Sequence, residues 1–266
     1  MVTIGAYDGV HLGHRRVIET VRVLALEDGL DSVVVTFDRH PATVVRPESA
    51  PKLLTDLEQK LELLTSLGVD EVELLHFDEE RSGETAEQFV DEVLVAELRA
   101  RIVVVGRDFH FGKGRGGNVA LLEEMGRSRG FSVVPFDLVD DETRHEVVSS
   151  TRIRALVARG CLDEAAALLA RPHEVRGTAG LRDPSGSQPV LVAGEMLLPP
   201  PGTYRARAGP VGGGETVGVR VELPEPIDPA RAEGERRLDV VGGLEHPLAA
   251  GGRVRVLFVG RETGSP

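Results

Sequence analysis

Val2-Thr3-Ile4-Gly5-Ala6-Tyr7-Asp8-Gly9-Val10-His11-Leu12-Gly13-His14 begins as a short apolar strand, Val2 to Gly5, and passes through glycines into helical sequence. The helix runs from Leu12 to Leu26, with Val17, Val21 and Leu24 at roughly helical spacing, and ends near Gly29. Outward from there the same alternation repeats. A second strand is predicted over 32–37, around Val33-Val34-Val35, and an amphipathic helix over 56–67, with Leu57, Leu61 and Leu64 on one face and Gly68 as its stop. Strands over 71–77, 102–105 and 131–136 are separated by helices over 84–100 and 118–126, and two more helices follow over 150–159 and 162–169. Strands spaced by helices of this length predict a parallel sheet covered on both faces. Such sheets bind ligands beyond the carboxyl ends of their strands, which is where the unusual residues of this chain fall.

Beyond Arg171-Pro172 the helical period disappears, and Gly, Pro and Ser dominate the turns. Short β-type runs over 190–192, 203–208, 216–221, 238–241 and 253–259 predict a small antiparallel β domain or barrel. The expected organisation is therefore α/β: a Rossmann-like parallel-sheet domain over 1–171, then an antiparallel β-barrel domain over 172–266. Residues 180–188 read as an exposed loop and 262–266 as a frayed tail. No internal repeat is evident.

The composition is that of an ordinary globular chain, with 41% hydrophobic and 28% charged residues in 266. No run approaches the 18 or so apolar residues of a membrane span, and Met1 to Tyr7 has no leader-like pattern, so no membrane and no secretory signal are expected. Cys161 is the only cysteine; it can form no internal disulfide, and a reducing cytoplasm is its simplest setting. A net charge of −12 argues against a broad nucleic-acid surface but not against a local basic pocket for phosphates. The sequence does not fix an oligomeric state.

Between the first strand and helix, glycines allow close backbone approach, and the helix N-terminus offers N–H groups to an anion. Gly5, Tyr7, Asp8 and Gly9 lead into His11 and His14, three residues apart, so two imidazoles can reach one phosphate and donate to oxygens gaining charge. The competing reading is a surface coincidence or half of a metal site. A zinc site would need further His, Cys or carboxylate ligands at compatible spacing, and none is evident nearby; no metal ligand is assigned.

Val148-Ser149-Ser150-Thr151-Arg152-Ile153-Arg154 opens another helix. Ser149, Ser150 and Thr151 could serve simply as N-caps. Two arginines in the first turn oppose the helix dipole, however, and a bound polyphosphate would resolve that conflict. The expectation is a triphosphate clamp that includes Arg154.

With these segments quoted, the chain resembles the bacterial bifunctional riboflavin kinase/FMN adenylyltransferase family, within the HxGH nucleotidyltransferase superfamily. The first segment resembles its GxFDGVHxGH signature, with Tyr7 for the usual Phe, and the second its SSTxIR signature. Thr36-Phe37-Asp38-Arg39-His40-Pro41 resembles its TFxPHP stretch, with Arg39 for the first Pro. Gly106-Arg107-Asp108-Phe109-His110-Phe111-Gly112-Lys113 resembles its flavin-site loop. The resemblance implies transfer of AMP from ATP to FMN, with Mg²⁺ offsetting charge. His11 and His14 would stabilise the α-phosphate, Ser150, Thr151 and Arg154 would hold the leaving pyrophosphate, and His40, Asp108, Phe109 and Phe111 would line the flavin or nucleotide side. Catalysis would rest on positioning and electrostatics. The alternatives are a kinase/adenylyltransferase with both activities, another phosphorylated acceptor, and a non-catalytic flavin or nucleotide sensor.

Gly112-Lys113-Gly114-Arg115-Gly116-Gly117 satisfies GxGxxG, but it does not follow its strand directly, and residues 106–113 fail as a Walker A loop. A flexible basic loop over a phosphate-bearing ligand fits them better. The acidic run 137–142 reads as a solvated loop.

In the C-terminal part, Arg171-Pro172-His173-Glu174-Val175-Arg176-Gly177, Pro200-Pro201-Gly202-Thr203-Tyr204 and the stretches 235–240 and 253–258 resemble the family's kinase barrel. The Gly-Arg-rich loop leading to GFPTAN, which holds phosphates and metal in the family, has no counterpart between Gly180 and Leu198. Asp239 stands near the position of the expected catalytic Glu. The resemblance thus implies a barrel whose kinase machinery is lost.

Overall fold

The computed structural model describes residues 1–137, 140–141, 146–225, 234–243 and 247–262, with the backbone alone at 140–141 and 146–147. Residues 138, 139 and 142 of the acidic run and 263–266 of the tail lie outside the described residues. The chain divides into two compact units, Met1–Pro51 with Leu57–Val148, and Lys52–Asp56 with Ser149–Pro266.

In the first unit five parallel strands form one sheet in the order β3-β2-β1-β4-β7: β1 Val2–Ile4, β2 Val33–Phe37, β3 Glu71–Leu75, β4 Ile102–Gly106 and β7 Ser132–Phe136. Two short antiparallel pairs complete the strands, β5 His110–Phe111 with β6 Gly117–Asn118, and β8 Asp140–Asp141 with β9 Glu146–Val147. The helices are α1 Leu12–Asp28, α2 Ala42–Val45, α3 Leu57–Thr65, α4 Glu79–Gly83, α5 Ala86–Phe89 and α6 Val119–Arg129.

The alternation of side chains explains why both faces are covered. Val33 and Val35 of β2, with Val103 and Val105 of β4, pack into a core that includes Phe89, Val93, Leu122 and Phe131. Val34 instead joins Ile18 of α1 and Leu64 of α3, and Val104 joins Val21 and Ala25 of α1. Near-continuous valine runs suit strands buried on both sides.

Two helices differ from the sequence reading. Residues 84–100 do not make one α-helix: α5 is capped by a Thr85–Gln88 capping box and then widens into a π-helix, Val90–Glu97, that turns Val90, Val93 and Leu94 inward. In α3 the buried residues are Gln59, Lys60 and Leu64, while Leu57 is 37% exposed. The apolar stripe is real at its C-terminal end, but a lysine occupies its middle.

The second unit carries α7 Ser150–Ala158, α8 Leu162–Leu169 and a closed antiparallel barrel in the order β10-β11-β14-β13-β12-β15. Its strands are β10 His173–Ala179, β11 Gln188–Val192, β12 Gly202–Pro210, β13 Val217–Leu223, β14 Arg236–Gly242 and β15 Arg253–Arg261. Alternate residues such as Val190, Tyr204, Ala206, Val221, Leu238, Val256 and Phe258 fill the interior. The five-residue excursion Lys52–Asp56 is knitted into this unit: Leu53 bridges Met196, its N–H donates to Glu195 O at 2.8 Å, and Arg253 reaches Asp56 at 3.3 Å. In β10, Val175 and Ala179 join the barrel interior, while Glu174 and Arg176 on the intervening positions form an ion pair at 2.9 Å, both buried.

Candidate phosphate-transfer site

Strand order reverses at β1, which has β2 and β3 on one side and β4 and β7 on the other. The loops after β1 and β4 therefore flank the switch point at the carboxyl ends, where ligands of open α/β sheets bind.

The loop after β1 is strained. Tyr7, Gly9 and Val10 have φ of 48°, 84° and 39°. Glycine adopts such values freely, whereas each non-glycine residue there costs roughly 1–2 kcal/mol. Surrounding contacts hold it: the Tyr7 phenol hydrogen-bonds Thr3 Oγ1 at 2.8 Å, Val10 N–H donates to Tyr7 O at 3.1 Å, and Arg15 Nε donates to Val10 O at 3.1 Å. Burial pushes the Tyr7 phenol well above its ordinary pKa, and the bond to Thr3 offsets this only in part. Tyr7 therefore stays a neutral wedge.

The turn delivers two histidines. His11 caps α1, its Nδ1 accepting from His14 N–H at 3.3 Å. The rings stack with centroids 3.6 Å apart and planes within 18°, and the edge of Tyr7 meets His14 at 5.0 Å. Because His11 Nδ1 is an acceptor, the proton of its neutral ring belongs on Nε2. Gly13 permits the packing: a Cβ there would lie 3.2 Å from the His11 ring and 3.3 Å from Val148 O.

Beside this turn lies a charged cluster that the sequence reading did not include. Lys60 is 7% exposed, and its Nζ donates to Phe37 O, at the end of β2, at 2.6 Å. Burial lowers its pKa, opposed by the charges of Asp8, itself 5% exposed, and Asp38. Asp38 accepts from His76 Nδ1 at 2.7 Å, Phe77 N–H at 2.9 Å and Arg39 at 3.0 Å. Partial burial works to raise its pKa, but Arg39, the Phe77 N–H and His76 outweigh it and bring the carboxyl down to about 2. A signal for Lys60 was present: positions 57, 60, 61 and 64 form the i, i+3, i+4, i+7 stripe of α3, and a charged residue within such a stripe needs a buried partner.

The remaining expected residues are placed as follows. His40 is half-buried, its Nδ1 accepting from Ala42 N–H at 3.2 Å. Asp108 is exposed in the loop after β4, where Phe109 N–H donates to Gly106 O at 2.9 Å. Phe111 is buried at 9%, stacked on Phe109 at 5.4 Å and tilted against Phe89 at 5.9 Å. The basic loop 112–117 is docked at its base: Lys113 N–H donates to Glu84 O at 2.7 Å, and a Cβ on Gly112 would strike Ala86 at 2.6 Å. Its tip, Lys113 to Gly116, is exposed. In the second unit Ser149 is the N-cap of α7, accepting from Arg152 N–H at 3.3 Å; the first turn holds no acidic residue, and Arg154 Nε donates to Lys52 O at 2.8 Å. Ser150 and Thr151 occupy that same turn.

A doubly wound parallel sheet with a histidine pair at its switch point places this unit among the open α/β domains. Residues 1–152 match the family described as FAD synthetase. The chain belongs to that family. It is 35% identical over 215 residues to the bifunctional riboflavin kinase/FMN adenylyltransferase of Listeria monocytogenes, covering 78% of this chain and 67% of the relative. The proteins of the same description from Escherichia coli K12 and Pseudomonas fluorescens are 35% and 38% identical over 66% of this chain. The match spans 56% of the length of each of these two. A crystal structure described as a macrolide-efflux protein from Streptococcus pneumoniae shares the fold, with a TM-score of 0.80 over 100% of this chain and 86% of its own, at 23% identity. No helix among the described residues is long and apolar enough to cross a membrane.

Proposed function

We propose that the chain transfers AMP from ATP to FMN, giving FAD and pyrophosphate. The observation that carries this reading is the stacked His11–His14 pair, fixed by a strained loop at the switch point of a domain that matches the FAD synthetase family. An FMN phosphate oxygen would attack the α-phosphorus in line. The new P–O bond forms as the bond from the α-phosphorus to the α–β bridging oxygen breaks, and pyrophosphate leaves. His11 Nε2–H and the His14 imidazole would donate to the α-phosphate oxygens as their charge grows. Ser150, Thr151 and Arg154 would receive the leaving pyrophosphate, and His40, Asp108 and Phe109 the flavin side, with Phe111 supporting Phe109 from the core.

Mg²⁺ would offset phosphate charge. Among the described residues no three His, Cys, Asp or Glu side chains converge as a cage, so such an ion would be held chiefly by the triphosphate.

For the barrel we propose no riboflavin kinase activity. In the stretch 180–198, where the family's phosphate cradle would lie, the β10–β11 turn is closed on itself: Asp183 accepts from Ser185 N–H and Ser187 N–H at 2.9 Å each and from Ser185 Oγ at 2.6 Å. An anionic carboxylate there repels phosphate.

One assay tests both readings. Protein with ATP, FMN and Mg²⁺ should yield FAD and pyrophosphate in equal amounts; tight FMN binding without turnover would mark a sensor and overturn the first reading. With riboflavin in place of FMN, FMN formation at an ordinary enzymatic rate would overturn the second.

A further inference from the structure

Lys60 sits in the middle of α3, where solvent-facing lysines are common, yet it is 93% buried against the sheet. Removing an ammonium from water is expensive unless anions and acceptors replace the water. The replacement comes from the carboxyl ends of two neighbouring strands. One hydrogen bond goes to the carbonyl of Phe37, the last residue of β2. The charges that act on the ammonium are those of Asp8, in the loop after β1, and Asp38, directly after β2.

Asp8 is the informative partner. It lies between Tyr7 at φ 48° and Gly9 at φ 84°, in the turn that ends on His11. A turn with two non-glycine residues in the left-handed region keeps its shape only when its surroundings over-determine it. Tyr7 is held by Thr3 and Val10 by Tyr7 O and Arg15, and the buried Asp8 lies between them, where its charge acts on the Lys60 ammonium. β1 and β2 are adjacent, with Gly5 N–H donating to Val35 O at 3.1 Å, so one side chain can act on both strand ends.

We propose that Lys60 is a positioning residue: by bracing the end of β2, whose Thr36 Oγ1 donates to Ala6 O in the loop after β1 at 3.4 Å, it fixes the turn that presents His11 and His14. It touches no reacting atom. The inference rests on the adenylyl-transfer reading, but its structural half can be measured without turnover.

The test uses Lys60→Met, which removes the charge at similar volume, Lys60→Gln, which keeps an N–H donor for Phe37 O without the charge, and Lys60→Arg, which keeps the charge. FAD formation is measured with KM for ATP and FMN, alongside the imidazole ¹H–¹⁵N resonances of His11 and His14. The expectation for Met and Gln is a fall in kcat of about 10- to 100-fold, the range of a mispositioned group, with both KM values within about threefold. The histidine resonances should shift, and Arg should recover part of the rate. If Met does not fold, Gln decides. Unchanged kcat would overturn the proposal. So would a rise in the KM for ATP matching the loss in kcat/KM, which would mean direct contact with nucleotide. Unmoved histidine resonances in a folded variant would overturn it as well. If the wild-type chain makes no FAD, the adenylyl-transfer reading fails, and the resonances alone still decide whether Lys60 holds the turn.

Discussion

The loop after β1 and the loop between β10 and β11 both follow a strand and both carry an aspartate, buried in the first and exposed in the second, and they resolve their polar groups in opposite ways. Around β1 the backbone is strained, the histidines are stacked at a helix start, and charge is balanced by a lysine brought from another element. In the β10–β11 turn Asp183 binds residues two and four positions on, and these bonds are local. A loop that satisfies itself locally has no unmet demand for a ligand to fill. A loop whose shape is imposed from outside can hold donors where a transition state needs them. The two regions therefore make opposite predictions for substitution.

The largest effect is expected at His14. Removing a donor aimed at a developing oxyanion lowers turnover by about 10²–10³-fold, and His14→Ala should do so while FMN affinity, read by flavin fluorescence, changes little. Equal losses in turnover and FMN binding would contradict the assigned role. Gly13→Ala should be milder and more diagnostic. Alanine improves helix propensity by about 1 kcal/mol over glycine, so Tm should hold or rise. The new methyl would nonetheless press on the His11 ring and Val148 O at 3.2 and 3.3 Å. A fall of about tenfold in kcat without loss of stability is expected, in keeping with the cost of small displacements at a reacting centre. Unchanged kcat would show that the His11 position is slack, and the contrast between the loops would weaken.

How far the sequence carried depends on what each residue had to do. The valine runs of β2 and β4 announced strands buried on both faces, and the glycine-punctuated turn before His11 announced the loop that joins β1 to α1. What periodicity could not show was the direction of polar side chains. The apolar face of α3 was read from Leu57, Leu61 and Leu64 alone, although the stripe of positions 57, 60, 61 and 64 contained the buried lysine. β10 escaped the strand count because its core-facing Val175 and Ala179 are separated by Gly177 and interleaved with Glu174 and Arg176, whose burial as a pair the sequence does not mark. The π-helix over Val90–Glu97 is a hydrogen-bond register, which composition does not encode. Tyr7 stood out only as a departure from Phe; its bond to Thr3 and its edge on His14 needed coordinates.

A smaller effect is expected from Asp38, which braces the start of the loop after β2. Its folded pKa of about 2 lies below the ordinary value of 3.8. The depressed carboxyl therefore contributes stability that is fully present above about pH 4 and is lost as pH falls through about 2. Because Arg39 and His76 are largely exposed, solvent screens the cluster, and a contribution on the order of 1 kcal/mol is reasonable. Urea unfolding of Asp38→Asn should show a deficit of that size at pH 7 that shrinks as the buffer approaches pH 2. A deficit independent of pH would mean the carboxylate charge is not what braces the loop.

The smallest effect is expected at Asp183, and it separates the two loops most cleanly. The Ser185 hydroxyl, with the N–H groups of Ser185, Gly186 and Ser187, holds the Asp183 carboxyl below its usual range. Its share of stability is accordingly present at neutral pH and lost in acid. The site is exposed, so Asp183→Ala should lower Tm by no more than a few degrees. FAD formation should not change, because the Asp183 bonds to Ser185 and Ser187 lie within the turn. Opening the turn should also confer no riboflavin phosphorylation, since removing one repelling carboxylate supplies none of the N–H groups or arginines that a phosphate cradle requires. If FMN nevertheless appeared from riboflavin and ATP, the aspartate would be a plug over a working site, and the view of this loop as self-satisfied and idle would have to be abandoned.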